Sequence, residues 1–260
     1  MTEDPILVEK AGYITRIQLN RPENRNSMNS NLLSAFFKAV EGVKSDRETR
    51  CLVITGSGKT FCAGADFKSE GEDNLFQLPN VAFMNIYRPF LELQQLSIPI
   101  IGALNGHAIG GGFGLSLMCD LRVANKDAKY GASFAKLGIH SGMAISYLLP
   151  RLVGLPRANE LLFTGRLIDG TQSLEMGLVN YAEQEDQVMV RAMALAEEIA
   201  SSAPVAVSMM KRSIYRGLNW DTIAAAEWEA HCQSHTFEME DAKEGIAALL
   251  EKRVPSFKGR

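Results

Sequence analysis

In the segment 98–120, IPIIGALNGHAIGGGFGLSLMCD, four glycines lie between the apolar run 98–103 and the run 113–119: Gly106 and Gly110 to Gly112. Glycine permits positive φ and close backbone approach, so the N–H groups of this segment can point into a cavity. A glycine turn that leads into a helix also concentrates unpaired amide donors and the positive end of the helix dipole. Such a site suits a phosphate, or a carbonyl oxygen that becomes negative during a reaction.

A second segment of this kind, 61–66 (FCAGAD), lies about forty-five residues upstream, and each of the two follows an apolar strand. Together they could supply one backbone N–H apiece to a single carbonyl oxygen. Neither segment is specific by itself. The alternative is that both glycine loops only turn the chain at a sheet edge, and the residues alone leave the two interpretations open.

Other chemistries fit the sequence less well. The segment 56–60 (GSGKT) resembles the end of a phosphate-binding loop, but Val53 stands where that loop needs its first glycine, and no helix is predicted to follow. His231 and His235 have a metal-ligand spacing, yet no carboxylate of the HExxH kind lies between them. No GxSxG nucleophile motif occurs. Nucleotide hydrolysis, zinc binding and serine hydrolysis are therefore disfavoured.

The composition is that of an ordinary globular protein, with 46% hydrophobic and 22% charged residues. The net charge of −3 gives no basic surface for nucleic acid. We find neither a signal peptide pattern nor an apolar run of about 20 residues, so a cytoplasmic protein without a membrane partner is expected. The four cysteines are scattered without CxxC spacing and are expected to be reduced: Cys51, Cys62, Cys119 and Cys232.

The elements that position the two glycine segments can be predicted from hydrophobic spacing. Strands are predicted over 6–8 and 13–19 (as a hairpin), 51–55, 98–103, 121–124 and 177–179. Helices are predicted over 32–40, 81–96 with a kink at Pro89, 113–119 and 157–164, the last stopped by Gly165. The segment 127–134 is predicted to be a loop, and the acidic segment 70–80 a mobile surface loop that could act as a lid.

The C-terminal part of the chain is predicted to be helical, over 187–201, 204–216, 221–235 and 241–252. Asp221 and Asp241 are plausible N-caps of the last two helices. No linker rich in proline, glycine or serine separates these helices from the rest of the chain, so they are expected to pack on the core or on a neighbouring subunit. We divide the chain into a core, 1–195, and a C-terminal helical segment, 196–260.

Four motifs occur in a characteristic order: Arg21-Pro22 with Asn26-Ser27-Met28, FCAGADFK at 61–68, NGHAIGGGFGLSLMCD at 105–120, and LPRLVG at 149–154. In this order they resemble the crotonase superfamily of enoyl-CoA hydratases and isomerases over nearly the whole chain. The resemblance implies an α/β fold, a spiral of ββα repeats followed by a C-terminal helical trimerisation segment. It further implies a homotrimer or a hexamer built as a dimer of trimers, and the binding of an acyl-CoA.

Transferred motif by motif, the resemblance implies an oxyanion hole formed by the backbone N–H groups of Ala65 and Gly111. It also implies a coenzyme A site that contains Ala63, Ala65, Asp66, Phe67, Lys68 and Gly111, with Arg25, Phe257 and Lys258 near the phosphates and adenine. Coenzyme A enters as part of the substrate, and neither a prosthetic group nor a metal is expected.

The sequence departs from the hydratases of this family at two positions. They carry one glutamate two residues after the third glycine and another in the loop after the next strand, where this chain has Gly114 and Phe134. Adding water to an unsaturated thioester requires a base and an acid, and neither residue can transfer a proton. Other members place an aspartate near the positions of Ser141 and Gly142, which also lack an acid. Ordinary hydratase activity is therefore not expected.

His140 is the candidate base that remains, with Ser133, Ser141 and Asp66 as polar neighbours. The alternative is a loop histidine hydrogen-bonded to backbone, while His107 is expected to pack behind the glycine loop. Two hypotheses follow: a lyase, isomerase or hydrolase of acyl-CoA thioesters, or a non-catalytic acyl-CoA-binding protein. Phe134 predicts a more apolar acyl pocket than a hydratase has, suited to an aromatic or alicyclic acyl group.

Overall fold

The computed structural model describes residues 4–66 and 80–260. Ten strands are present in these ranges: β1 (Ile6–Ala11), β2 (Ile14–Leu19), β3 (Cys51–Gly56), β4 (Thr60–Cys62), β5 (Ile100–Leu104), β6 (His107–Ile109), β7 (Leu121–Asn125), β8 (Lys129–Gly131), β9 (Ile168–Asp169) and β10 (Tyr181–Glu183).

The α-helices of the described residues are α1 (Ser30–Ser45), α2 (Asn80–Leu91), α3 (Gly111–Leu117), α4 (Ile145–Val153), α5 (Leu155–Thr164), α6 (Gly170–Glu175), α7 (Glu185–Ala200), α8 (Pro204–Gly217), α9 (Thr222–Phe237) and α10 (Glu240–Glu251). Short 3₁₀ turns cover Pro22–Asn24, Glu92–Gln95 and Ser133–Leu137. None of the helices in the described part of the chain is long and apolar enough to cross a membrane.

The strands form two sheets between which the chain alternates. A six-stranded sheet has the order β1-β2-β3-β5-β7-β10, and a four-stranded sheet has the order β4-β6-β8-β9. The pairs β3–β5 and β4–β6 are both parallel, so in each of these pairs the carboxyl ends of the two strands lie at the same edge of the sheet. The loops that follow β4 and β6 are therefore neighbours.

The six-stranded sheet is covered on both faces, as its continuous apolar strands predict. In β3, Leu52 and Ile54 belong to one hydrophobic cluster, which includes residues of α1, whereas Cys51 and Val53 belong to a second cluster. The second cluster is completed by the small residues of α7, such as Ala192 and Ala196. Burying a leucine or isoleucine side chain contributes about 1.5–3 kcal/mol, so β3 is a major source of stability.

The C-terminal helices are tied to the core through Asp120, which follows α3. Its carboxylate accepts hydrogen bonds from the backbone N–H of Ile100 (2.7 Å), from Lys211 Nζ (2.7 Å) and from the Tyr215 hydroxyl (2.6 Å). Next to it, the buried Arg122 guanidinium donates to the carbonyl of Leu178 (2.7 Å). Burial lowers the pKa of Arg122 and raises the pKa of Tyr215. Helix α8 is thus anchored by buried polar contacts.

Most predicted elements are confirmed, including the hairpin, the strand at β3 and the helix predicted over 157–164. Helix α2 contains Pro89 and ends two residues later, in agreement with the predicted kink. Gly165 ends α5 in the left-handed conformation, as expected. The four cysteines are buried and free.

Three predictions are wrong. The strand predicted at 177–179 is Tyr181–Glu183 instead, because Leu178 and Val179 turn back to hydrogen-bond Ser173. The predicted loop 127–134 contains β8 and the start of a 3₁₀ turn. Asp241 is not an N-cap, since it lies inside α10 and its carboxylate accepts the N–H groups of Lys258 and Gly259. The proposed boundary at 195–196 falls within α7 and stays a prediction.

Candidate active site

The two glycine segments singled out in the sequence approach each other closely. Gly64 lies in the loop after β4, and a Cβ atom built on it would stand 2.8 Å from the Ile109 carbonyl oxygen and 3.1 Å from the Gly111 nitrogen. The φ of Gly64 is +88°, a conformation that side chains disfavour. The lack of room for a Cβ atom and the positive φ therefore both require glycine at position 64. The close approach of the two loops places Ala65 beside the start of α3.

Two amide groups at this junction have no backbone acceptor in the described part of the chain. Met28 pairs with the two residues that flank Ala65. The Met28 N–H donates to the Gly64 carbonyl (2.7 Å), and the Met28 carbonyl accepts the N–H of Asp66 (3.0 Å). Since successive backbone groups of an extended chain alternate in direction, the N–H of Ala65 points away from Met28. Gly111 begins α3, so its N–H has no partner within the helix.

A buried asparagine holds the turn that leads into β4, the strand before the first of these loops. Asn26 is fully buried, and its side-chain amide donates to the carbonyls of Ser57 (3.0 Å) and Thr60 (2.7 Å). Its side-chain oxygen accepts the N–H of Arg21 (2.8 Å). Asn26 has φ of +54°, a value that asparagine tolerates better than most residues. The segment before α1 therefore holds both ends of β4.

Asp66 forms an ion pair with Arg21 at 3.3 Å, and both side chains are largely buried. The Arg21 guanidinium also donates to the Ser27 carbonyl (2.7 Å). Arg25, whose side chain is exposed, accepts the N–H of Ala63 on its carbonyl (3.1 Å). The structure thus brings Arg25, Ala63, Ala65 and Asp66 together, while Phe67, Lys68 and the predicted lid over 70–79 lie outside the described residues.

The positions of the two absent glutamates lie on the other side of the same junction. Phe134 is half-buried in the 3₁₀ turn after β8, and its ring tip would be 3.7 Å from a Cβ on Gly110. Gly114 lies one helical turn after Gly111, and a Cβ on it would stand 2.5 Å from Met143 Cβ. The space beside Gly114 is therefore occupied by Met143.

Met143 is held in place by an unusual backbone. Met143 and Ala144, directly before α4, have φ of +58° and +54°, both in the left-handed region. Each such residue costs about 1–2 kcal/mol relative to an ordinary conformation. The buried Met143 side chain, 3% exposed, compensates for part of this cost. Sequence analysis missed this turn, because neither methionine nor alanine signals a left-handed conformation.

His140 lies in the same loop, three residues before Met143, and is exposed. Its Nδ1 donates to the carbonyl of Ser141 at 2.7 Å, which leaves Nε2 as the nitrogen available to a ligand. Ser141 is half-buried, and so is Ser133 at the start of the 3₁₀ turn that contains Phe134. His107 is exposed, and its Nδ1 accepts the N–H of Lys129 (2.9 Å), so its packing behind the glycine loop stays a prediction.

Phe257 and Lys258 lie elsewhere in this chain. The Phe257 carbonyl accepts from Arg50 (2.7 Å), which directly precedes β3, whereas the glycine loops follow the carboxyl ends of the strands. A strand of six residues is about 20 Å long, so the two regions lie at opposite ends of the sheet. The structure does not bring Phe257 and Lys258 together with Ala65 and Gly111 within one chain.

Neither a thiol nor a metal cluster accompanies the site in the residues that the structure describes. Cys62 is buried beneath the first loop, and burial raises the pKa of its thiol to about 12, so it is not a nucleophile at neutral pH. No group of three histidine, cysteine, aspartate or glutamate side chains in 4–66 and 80–260 could hold a metal ion. As expected, a strand and not a helix follows the GSGKT segment.

One further polar group at the site was not anticipated from the sequence. The hydroxyl of Tyr87, on α2, would lie 2.5 Å from a Cβ on Gly142, which places it directly against the loop that carries His140 and Met143. In the sequence, Tyr87 is distinguished only by its hydroxyl group, within a predicted helix whose stripe is otherwise apolar.

A family profile described as enoyl-CoA hydratase/isomerase matches residues 9–260 of this chain. Short-chain-enoyl-CoA hydratase of Clostridium acetobutylicum is 34% identical over 257 residues, which cover 98% of this chain and 98% of that protein. Mitochondrial methylglutaconyl-CoA hydratase of Rattus norvegicus is 34% identical over 268 residues, covering 99% of this chain and 84% of that protein.

The crystal structure of an enoyl-CoA hydratase from Bacillus anthracis has a TM-score of 0.92 to this chain at 34% identity, covering 98% of this chain and 100% of that one. Sequence and fold thus agree over nearly the full length. This chain belongs to the enoyl-CoA hydratase/isomerase family of the crotonase superfamily, whose substrates are acyl-CoA thioesters.

Proposed function

We propose that this protein binds an acyl-CoA with the thioester carbonyl oxygen between the N–H groups of Ala65 and Gly111, and stabilises the enolate that forms when an α-proton is removed. The observation that carries this proposal is the contact between Gly64 and Gly111, which leaves two unpaired amide donors side by side. Removal of one donor from such a site typically costs about 3 kcal/mol of transition-state stabilisation.

The reaction that follows enolate formation is not hydration. Water addition requires a base for the water and an acid for the α-carbon, and Gly114 and Phe134 supply neither. The occupied space at Gly114 supports this conclusion, because Met143 leaves no room there for a longer side chain. We therefore favour a proton transfer, such as a double-bond isomerisation or an elimination, and the family needs no prosthetic group for either.

His140 is the candidate base. With Nδ1 bonded to the Ser141 carbonyl, the neutral imidazole presents an unprotonated Nε2. It lies in the loop whose residues Gly142 and Met143 contact Tyr87 and Gly114.

A non-catalytic acyl-CoA-binding protein is the second candidate. The exposure of His140 and its bond to a neighbouring backbone carbonyl favour it, since this is also the arrangement of a loop histidine without a chemical role. In that case the amide donors would bind the thioester oxygen without any proton transfer. Both candidates share the pocket formed by Ala65, Gly111 and Phe134.

The deciding experiment follows α-proton exchange and product mass together, in deuterated water, with saturated and unsaturated acyl-CoAs that include alicyclic and aromatic ones. We expect exchange in the wild-type protein, and a large loss of exchange with retained acyl-CoA affinity in His140→Ala. Saturable binding without any exchange would instead establish the binding protein. A preference for short polar acyl groups would contradict the apolar pocket at Phe134.

We also propose, from the family resemblance, that the fold is a spiral of ββα repeats and that three copies associate through the C-terminal helices. The large apolar side chains that these helices leave exposed support association; they include Leu249 (77% exposed) and Leu250 (77% exposed). A neighbouring copy would then be the source of the Phe257 and Lys258 contacts with coenzyme A. Light scattering that gives the mass of one chain would contradict this assembly.

A further inference from the structure

The hydroxyl of Tyr87 lies on the side of the site that contains Gly114, Phe134 and Met143. It contacts the backbone at Gly142, whose built Cβ would be 2.5 Å from the hydroxyl oxygen and 3.0 Å from the ring carbon that bears it. The next residue is Met143, which fills the space beside Gly114. Consecutive Cα atoms are only 3.8 Å apart, so the Tyr87 hydroxyl lies near Met143 and, through it, near Gly114, beside which the acyl group of the proposed thioester would lie.

The surroundings of this hydroxyl are mainly apolar. Tyr87 packs against the main hydrophobic cluster, and its ring centroid lies 6.4 Å from that of Phe83. Phe134, which also packs on this cluster, and the buried Met143 complete the apolar side. Ligand pockets are typically lined by apolar side chains with a few polar groups that orient the ligand, and Tyr87 has the position of such a group.

The Tyr87 hydroxyl is a hydrogen-bond donor without a partner. It forms no hydrogen bond with any residue in the described part of the chain, although it is half-buried. Burial raises the pKa of Tyr87, so the phenol keeps its proton at neutral pH. A protonated phenol without a protein acceptor can donate one hydrogen bond to a ligand oxygen.

We infer that Tyr87 determines substrate specificity by donating a hydrogen bond to an oxygen on the acyl group, beyond the thioester carbonyl. This inference rests on the proposed acyl-CoA site. The substrate class is then an acyl-CoA with a largely apolar chain or ring that carries a hydroxyl or oxo group. Phe134 and Met143 contact the apolar part, and Tyr87 contacts the oxygen.

The test compares pairs of acyl-CoAs that differ by one oxygen: octanoyl-CoA with β-hydroxyoctanoyl-CoA, and cyclohexanecarbonyl-CoA with its derivative hydroxylated opposite the thioester. Dissociation constants are measured calorimetrically for the wild type, for Tyr87→Phe and for Tyr181→Phe. We expect the wild type to prefer the oxygenated member of at least one pair by about tenfold, the value of one net hydrogen bond. Tyr87→Phe should lose that preference and keep its affinity for the member without the oxygen.

Tyr181→Phe is the matched control, since Tyr181 lies on β10 and its ring stacks with Arg191 outside the site. It should behave like the wild type. Equal affinities within both pairs, or a preference that Tyr87→Phe retains, would overturn the role of Tyr87 and leave the acyl-CoA site intact. If the wild type binds neither member of either pair, the proposed function itself fails, and this inference fails with it.

Discussion

The two sides of the candidate site differ in how they relate to the hydratases that this chain resembles. On one side, Gly64, Ala65 and Gly111 retain the arrangement of two converging amide donors. On the other side, Gly114 and Phe134 stand where the family resemblance predicts two glutamates. In our proposal the first side stabilises charge on a thioester oxygen, whereas neither Gly114 nor Phe134 has a group that could move a proton.

This difference shows that the two tasks of the site have separate structural bases. The amide donors depend on backbone geometry, which Asn26 and the Arg21–Asp66 pair fix from behind. The proton-transfer side depends on side chains, and those can be exchanged without disturbing the backbone of the first side. An anion-stabilising scaffold can therefore be kept while the chemistry beside it changes.

The largest effect should come from separating the two amide donors. In Gly64→Ala, the new Cβ would press on the Ile109 carbonyl and the Gly111 nitrogen, so the loops must move apart. Loss of one oxyanion donor typically lowers a rate by 100-fold to 1,000-fold, and we expect the α-proton exchange rate to fall by about 100-fold or more.

Gly177→Ala provides the control for backbone strain. Gly177 has φ of +76°, close to that of Gly64, but nothing lies within 4 Å of its built Cβ. This variant should lose about 1 kcal/mol of stability, measured by urea unfolding, and keep its exchange rate. A Gly64→Ala protein that exchanges as fast as Gly177→Ala would show that the converging donors are not used.

A smaller effect is expected on the other side, at Gly114. Gly114→Ala adds a Cβ only 2.5 Å from Met143 Cβ, and overpacking of this kind costs about 1–3 kcal/mol of unfolding free energy. Met143→Gly removes that atom, so the two changes together should cost less than the sum of the single changes. A double-mutant cycle by urea unfolding should give a favourable coupling of about 1 kcal/mol or more.

Gly42→Ala in α1 is the matched control, because Gly42 is also helical and nothing lies within 4 Å of its built Cβ. Alanine is a better helix former than glycine, so this variant should gain about 1 kcal/mol. If Gly114→Ala is stabilised to the same extent, then Met143 does not occupy the space beside Gly114.

The smallest effect concerns the turn before α4. Ala144→Gly places glycine at a φ of +54°, and we expect the unfolding free energy to rise by about 1 kcal/mol. Ala194→Gly, at an exposed helical position of α7, should lower the unfolding free energy by a similar amount. Equal losses in both variants would rule out strain at Ala144. Circular dichroism during thermal unfolding is sufficient to separate the two outcomes.

The donor side of the site could be predicted from the sequence, because glycine spacing and the following helix reveal backbone geometry directly. The same holds for β3, whose continuous apolar run signals a strand covered on both faces. The side of the site that contains Gly114, Phe134 and Met143 could not be predicted. Only the absence of the glutamates was visible, whereas Met143 and Tyr87 reach the site through a left-handed turn and a helix distant in sequence.

Short-range signals also failed where tertiary contacts decide the outcome. Leu178 and Val179 are residues typical of a strand, but the buried Arg122 side chain donates to the Leu178 carbonyl. The strand therefore forms only at Tyr181–Glu183. Asp241 has the composition of a helix cap, yet its carboxylate binds the C-terminal tail. In both cases a polar partner far along the chain outweighs the local preference.

The contact between Met143 and Gly114 also limits how such a site can change over evolutionary time. A side chain cannot be added at position 114 while Met143 keeps its place, so a path toward a carboxylate must first alter residue 143. Releasing Met143 in turn removes the packing that compensates for its left-handed backbone. A carboxylate at position 114 therefore requires two substitutions that are each unfavourable alone, and the contact with Met143 fixes their order.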